Sequence, residues 1–257
     1  MSDEKQLAIT LPGEWALKKV MGPALDELGE DMKKLYSIGR DKIFIAGYKK
    51  IADVNDGKKA NLRVVRDVFW NGSFTDESIC AEYFGGILAT SRSADGKDDT
   101  GVYFVDIIKS LSSKQLYLHY VIYSSLNKLL NSDPENKKIN PGQESELRVI
   151  KIFLSMNEVI KVVNNEDFGT DLHALHAKGL IGDFLTGEHD LKNGTKVPNV
   201  WISPKPLGIM LYAVAHNKFN EWRNFATADF GYFENIQRLQ YFGKDIVQLL
   251  VQAGIKD

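Results

Sequence analysis

YFGGILATSRSADGKDDTGVYFVDIIKSLSSKQLYLHYVIYSSLNKLL, residues 83–130, sets a dense polar run, Ser91–Thr100, between two stretches of helical periodicity. Upstream, Thr75 with Asp76 and Glu77 is a helix-start signal, and Ile79, Tyr83, Ile87 and Leu88 recur at helical spacing behind it. Downstream, Val102, Val105, Ile108 and Leu111 define a helix. Ser112 and Gln115 then form the pattern of a capping box, and Leu116, Tyr120, Tyr123, Leu126 and Leu130 share one face of the next helix. Gly85-Gly86 lies inside a helical pattern, where each glycine costs about 1 kcal/mol relative to alanine. Such a cost points to close helix packing. A phosphate cradle is disfavoured, because GxGxxG and GxxxxGK[ST] are both absent.

Working outward, residues 1–12 read as a polar tail ending at Pro12. From Glu14 to about Val54 the residues Leu17, Val20, Met21, Leu25, Leu28, Met32, Leu35, Ile38, Ile43, Ile45 and Ile51 are spaced mostly by three and four, with Pro23 and Gly39 as points of kinking or division. Asn55-Asp56-Gly57 is a turn, and Leu62, Val65, Phe69 and Trp70 lie on a further helix. Residues 1–130 therefore read as a helical bundle. Residues 131–146, NSDPENKKINPGQESE, form a linker and domain boundary.

Residues 147–257 have a different grammar. A helix is expected around Leu147–Val163. Phe168–Ala215 then reads as helix, short strand, polar turn from His189 to Pro198, returning strand through Val200-Trp201-Ile202, and helix, with strands confined mainly to Gly182–Pro204. That order is winged-helix-like. A last helix is expected from about Glu234, carrying Ile236, Leu239, Phe242, Ile246, Leu249 and Leu250. The expected fold class is mainly α: an N-terminal helical bundle with a C-terminal winged-helix-like α+β part.

Composition narrows the function. The 257 residues are 44% hydrophobic and 11% aromatic, enough to fill a sizeable core. Lys and Arg number 18 against 18 Asp and Glu up to Leu130, and 14 against 16 after it. Neither half is basic, which weighs against a nucleic-acid coat. Cys80 is the single cysteine and has no partner for an internal disulfide, as in a reducing compartment. It reads as a buried helix residue. No leader pattern and no window of about 18 apolar residues is present, so no transmembrane segment and a cytoplasmic location are expected.

GPALDELGEDMKKL (Gly22–Leu35), SFTDESICAEYFGGILA (Ser73–Ala89), DIIKSLSSKQLYLHYVIY (Asp106–Tyr123) and the later KGLIGDF and ISPKPLG together resemble the bacterial abortive-infection alpha family, over roughly Leu17–Tyr212. The resemblance implies a bacterial or prophage-associated cytoplasmic protein linked to halting phage infection. It brings no catalytic residues. The charged GKDD loop is longer here than in the general family pattern.

Several residue groups carry chemistry in principle. Asp98 and Asp99, with Glu82 and His119, have the donors for a divalent ion of the kind used in phosphodiester cleavage. Acidic residues just before a helix also cap its free amides, and Arg92 is placed to pair with them across the loop, which makes Arg92, Asp98, Asp99 and His119 an interaction or capping site. His173 and His176 are spaced i, i+3 but lack an assured third ligand, with His189 of the turn as the only nearby candidate. No GxSxG or HExxH sequence occurs.

The winged-helix-like segment offers Lys192, Asn193 and Lys196 to a phosphate backbone, yet Lys178, Lys192, Lys196 and Lys205 are matched by Asp171, Asp183, Glu188 and Asp190. The aromatic C-terminal stretch, Phe219 to Phe242, reads mostly as core, and an exposed subset would make a protein interface or a monotopic membrane contact. The preferred reading is a non-enzymatic protein without a cofactor, acting through a protein partner or as a homo-oligomer. A winged-helix DNA-binding regulator is the alternative, and a metal-dependent nuclease ranks third.

Overall fold

The computed structural model describes residues 26–75, 77–132 and 138–255, with side chains from Lys33 onward. The polar tail, Pro12, Pro23 and the apolar positions up to Met32, Asp76 and the middle of the expected linker lie outside the described residues. The fold is mixed and α-rich, 53% helical and 13% strand.

Among the described residues, five helices build the first half. α1, Asp26–Lys49, runs unbroken through Gly39, which was expected to kink it. The glycine is there for contact. A β-carbon at Gly39 would lie 2.8 Å from the Thr75 carbonyl oxygen and against that of Ser73. α2, Leu62–Gly72, begins at Asn61, whose side chain accepts from the amides of Arg63 and Val64.

Two-residue strands that the sequence did not announce, β1 (Lys59–Ala60) and β2 (Arg92–Ser93), pair antiparallel and tie the turn before α2 to the polar loop. α3, Ser78–Thr90, is buried along most of its length. Its paired glycines serve two neighbours: Gly85 abuts Gly47 of α1, and Gly86 abuts Ala215 of a later helix.

α4, Gly101–Ile108, leads to α5, Ser113–Asn131, where the capping box is complete. Ser112 Oγ accepts from Gln115 N at 3.2 Å, and Gln115 Oε1 accepts from Ser112 N at 3.0 Å. α5 is the core helix, burying Leu116, Leu118, Tyr120, Val121, Ile122, Tyr123 and Leu126.

After a short α6, Glu144–Leu147, the expected helix over Leu147–Val163 is corrected. Its first part is β3, Ile152–Ser155, and only Met156–Val163 is helix, α7. Ile152 and Leu154 are buried while Phe153 and Ser155 are half-buried, a period of two that four residues are too short to declare. α8, Phe168–Ala177, β4, Ile181–Asp190, β5, Lys196–Pro204, and α9, Pro206–Ala215, follow in the expected order.

The β4–β5 turn is set by Gly194 at φ 82° and by Asn193 Oδ1 accepting from Thr195 N at 2.9 Å. The sheet order is β4-β5-β3-β6, with β6 at Phe242–Gly243, and every pairing is antiparallel.

The last helix is also corrected. α10 spans Ile246–Gln252, capped by Asp245, and Glu234–Lys244 is irregular apart from β6. Leu239 and Phe242 are buried in the core and Ile236 packs against it. The backbone around them is held by side chains from elsewhere: Phe233 N donates to Tyr120 Oη, and Gln240 N and Tyr241 N to the Glu158 carboxylate. One continuous apolar core runs from Ile43 to Phe242 and includes residues on both sides of the 131–146 segment.

Candidate functional site

The densest arrangement of functional groups lies where α1, α3, α5 and α9 meet the segment after Asp229. α5 carries His119 into full burial. Its Nε2 lies 3.2 Å from the Gly208 carbonyl, to which it must donate, so Nδ1 accepts from the Tyr83 hydroxyl at 2.5 Å. Both ring nitrogens are occupied. Burial pushes the imidazole down to about 3, and the Gly208 contact opposes that only in part.

One turn on, the Tyr123 hydroxyl donates to the Leu180 carbonyl and accepts from Lys205 N at 3.1 Å, which joins α5 to both ends of the β4–β5 hairpin. Gly208 has to be glycine for this junction. A β-carbon there would overlap the Tyr123 hydroxyl and the Leu180 carbonyl.

Phe233 is stacked between two rings: His216 at 4.4 Å and 13°, and Tyr120 at 4.7 Å and 13°. The Lys50 ammonium sits 4.8 Å from the Phe233 ring centre and bonds both the carboxylate and the carbonyl of Glu82. Desolvation lowers the Lys50 pKa, opposed by Glu82. Burial likewise raises the hydroxyls of Tyr83 and Tyr212 well above 10, and that of Tyr120 to about 12. These groups stack and pin. None presents an ionised nucleophile, and the Cys80 thiol, buried on α3, is pushed up to about 11 by desolvation.

The residues singled out in the sequence fall in different places. Arg92 does not pair with Asp98 or Asp99. The β1–β2 pairing turns it toward the opposite loop, where its guanidinium meets Asp56 at 2.5 Å and the Lys58 carbonyl at 3.3 Å. Asp98 accepts from Thr100 N at 3.0 Å, just before α4. The Asp99 side chain reaches across to Arg63 of α2 at 3.2 Å instead, and only its carbonyl accepts from Val102 N.

His119 is buried against Tyr83, while Glu82 is bound to Lys50, so Asp98, Asp99, Glu82 and His119 do not gather as the divalent-ion reading requires. Among the described residues no three His, Cys, Asp or Glu side chains converge as a metal site.

His173 and His176 lie edge-on to Phe184 of β4, at 5.0 and 6.0 Å. Asn193 is spent on its own turn, and Lys196 pairs with Glu188 across the hairpin at 2.9 Å. The exposed side of α8 presents Thr170, His173 and His176. Of the C-terminal aromatics, Phe225, Phe230, Phe233 and Phe242 are core, while Tyr232 and Tyr241 are exposed.

The sequence missed the apolar surface of α1. Ile38 and Ile45, two of the apolar positions at helical spacing, are exposed, and so are Phe44 (58%) and Tyr48 (53%). Phe44 and Tyr48 stack at 6.2 Å and, with Val65, Phe69, Leu88 and Arg92, line a groove of about 280 Å³. The available signal was the consecutive Ile43-Phe44-Ile45, since three adjacent apolar residues cannot share one helix face. No protein-family model, curated protein or solved structure matches the chain.

Proposed function

We propose that this is a non-enzymatic bacterial protein of the abortive-infection alpha type, which limits phage through contact with a protein partner. In this reading residues 1–130 form a helical bundle, joined through 131–146 to a winged-helix-like part over 147–257. The order β3-α7-α8-β4-β5, with β3 paired to β5, supports the winged-helix arrangement. The observation that carries the contact reading is the exposed apolar strip on α1: Phe44, Ile45 and Tyr48 are each more than half exposed beside the groove against α2. Such strips mark interaction surfaces more often than chance exposure.

The test is a phage challenge of bacteria carrying the wild-type protein or the Phe44→Asp/Tyr48→Asp variant. Both side chains point outward, so folding is retained, and protection is expected to be lost in the variant. Equal survival and phage yield with both proteins would defeat the reading.

A DNA-binding regulator is the second reading, favoured by the β4–β5 hairpin that follows α8. The paired Lys196 and the lack of any Lys or Arg in α8 weigh against it.

A further inference from the structure

The segment Phe225–Lys244 crosses α5 and α9 without a helix of its own. Side chains from elsewhere hold it. Asn127 donates to the carbonyls of Phe225 at 2.7 Å and Ala228 at 3.0 Å and accepts from Phe230 N at 3.1 Å. The Tyr212 hydroxyl donates to the Gly231 carbonyl, and Lys49 pairs with Glu234 at 2.8 Å. Phe233 is the plug, sandwiched between Tyr120 and His216.

One half of that sandwich can change charge. Among the described residues Nε2 of His216 is buried without a hydrogen-bond partner. The cations that act on it are Lys50, just past α1, and Lys218, two residues on. Of the carboxylates on the surrounding elements, Glu82 of α3 is held by Lys50 and Asp229 accepts from Gly231 N. Lys218 donates to the Asp229 carbonyl, Glu234 is turned to Lys49, and the hydroxyls of Tyr120 and Tyr212 are committed to strap backbone. A proton on His216 therefore meets two cations and no available carboxylate.

We propose that Phe225–Lys244 is an acid-released strap: neutral His216 clamps Phe233 against Tyr120, and protonation of His216 frees the strap while the helices beneath it stay folded. Burial, then Lys50 and Lys218, hold the imidazole well below its ordinary 6.5 in the closed state. Below pH 6.5 the open state takes up a proton that the closed state refuses, so acid favours opening. Between pH 7 and 5 the opening constant rises by up to roughly 25-fold for one imidazole released to an ordinary pKa of about 6.5. His119 is also buried and neutral, but it bonds only α3 and α9, so its protonation accompanies opening of the core, which the α5 amides report separately from the strap.

Hydrogen exchange of the full chain at pH 7 and 5, corrected for chemical exchange rate, tests this on peptides covering 229–238 and 113–131. The strap is expected to lose protection by up to that factor at pH 5 while staying less protected than α5 at both pH values, since α5 opens only with the core. His216→Phe and His216→Gln, which cannot take up a proton, are expected to abolish the acid-dependent loss in the strap. A strap whose protection equals that of α5 at both pH values, or a loss that persists in both variants, would overturn the proposal. Should both variants fail to fold, NMR titration of the wild-type protein decides: a shared midpoint for the His216 ring and the strap amides supports release, and separate midpoints refute it.

Discussion

Gly85 of α3 and Gly47 of α1 meet backbone to backbone: a β-carbon on Gly85 would sit 2.6 Å from the Gly47 nitrogen, and one on Gly47 would sit 2.9 Å from the Gly85 carbonyl oxygen. Two helices can approach this closely only where neither carries a side chain. The contact fixes α1 on the core, and with it the orientation of the exposed Phe44–Tyr48 strip.

In an isolated helix Gly85→Ala would stabilise by about 1 kcal/mol, through reduced backbone entropy. Here the added methyl has nowhere to go, because its neighbours are backbone and cannot rotate aside. Overpacking of this kind costs about 1–3 kcal/mol, so Gly85→Ala and Gly47→Ala are each expected to destabilise. Urea unfolding decides the sign: a variant with a midpoint at or above wild type would show that α1 can shift on α3 at no cost.

Asn127 is the second point of leverage. It is 3% exposed, and its side chain makes three hydrogen bonds to the Phe225–Phe230 backbone. Asn127→Leu keeps the volume but strands the Phe230 amide, at a cost of about 1–3 kcal/mol where water cannot reach, and leaves the Phe225 and Ala228 carbonyls to Asn131 Nδ2 alone, at 3.4 and 3.1 Å. A loss of about 1–3 kcal/mol is therefore expected, accompanied by faster proteolysis of the 225–245 segment. A loss under about 1 kcal/mol would mean that water enters and satisfies these groups.

His119 gives stability a defined pH dependence. Its folded pKa is depressed to about 3 by burial, against about 6.5 unfolded. The unfolded state thus binds the extra proton first, so the stabilisation is whole above pH 6.5 and is lost as pH falls from there toward 3. At pH 5 the loss from this one group is about 2 kcal/mol. Guanidinium titrations at pH 7 and 5 are expected to differ by at least that much in the wild type and by less in His119→Asn. Unchanged pH dependence in the variant would place the acid sensitivity elsewhere.

Much of the helical half was legible because its signals are local. The Ser112/Gln115 capping box, the turn at Gly57 and the close packing implied by Gly85-Gly86 are each decided within a few residues, and each holds. What failed depends on distant partners. Ile152–Ser155 becomes a strand only because β5 lies beside it, and Ile236 and Leu239 sit in an irregular segment because Asn127, Tyr120 and Glu158 satisfy its neighbouring backbone. Arg92 has carboxylates at Asp98 and Asp99 within a few residues, yet the β1–β2 pairing delivers it to Asp56. His119 could not be read as a tyrosine-bound core residue from the polar loop upstream of it, since its partners come from α3 and α9.

The DNA-regulator reading makes the sharpest remaining demand. If α8 and the β4–β5 turn read DNA, Lys192 and Lys196 must neutralise phosphates, binding must weaken steeply with salt, and Lys192→Glu/Lys196→Glu must abolish it. Lys196 is already paired with Glu188 at 2.9 Å, so binding a phosphate has to break or share that contact. The exposed side chains of α8's first turns, Thr170 and His173, carry no fixed positive charge to bring to a base edge. Affinity for random or promoter DNA at physiological salt is therefore expected near the weak end of non-specific binding, about 10⁻⁴ M. Fluorescence anisotropy across a salt series measures it. Sub-micromolar, sequence-selective binding that vanishes in the double variant would reverse the ranking and make this hairpin, rather than the α1 strip, the working surface of the protein.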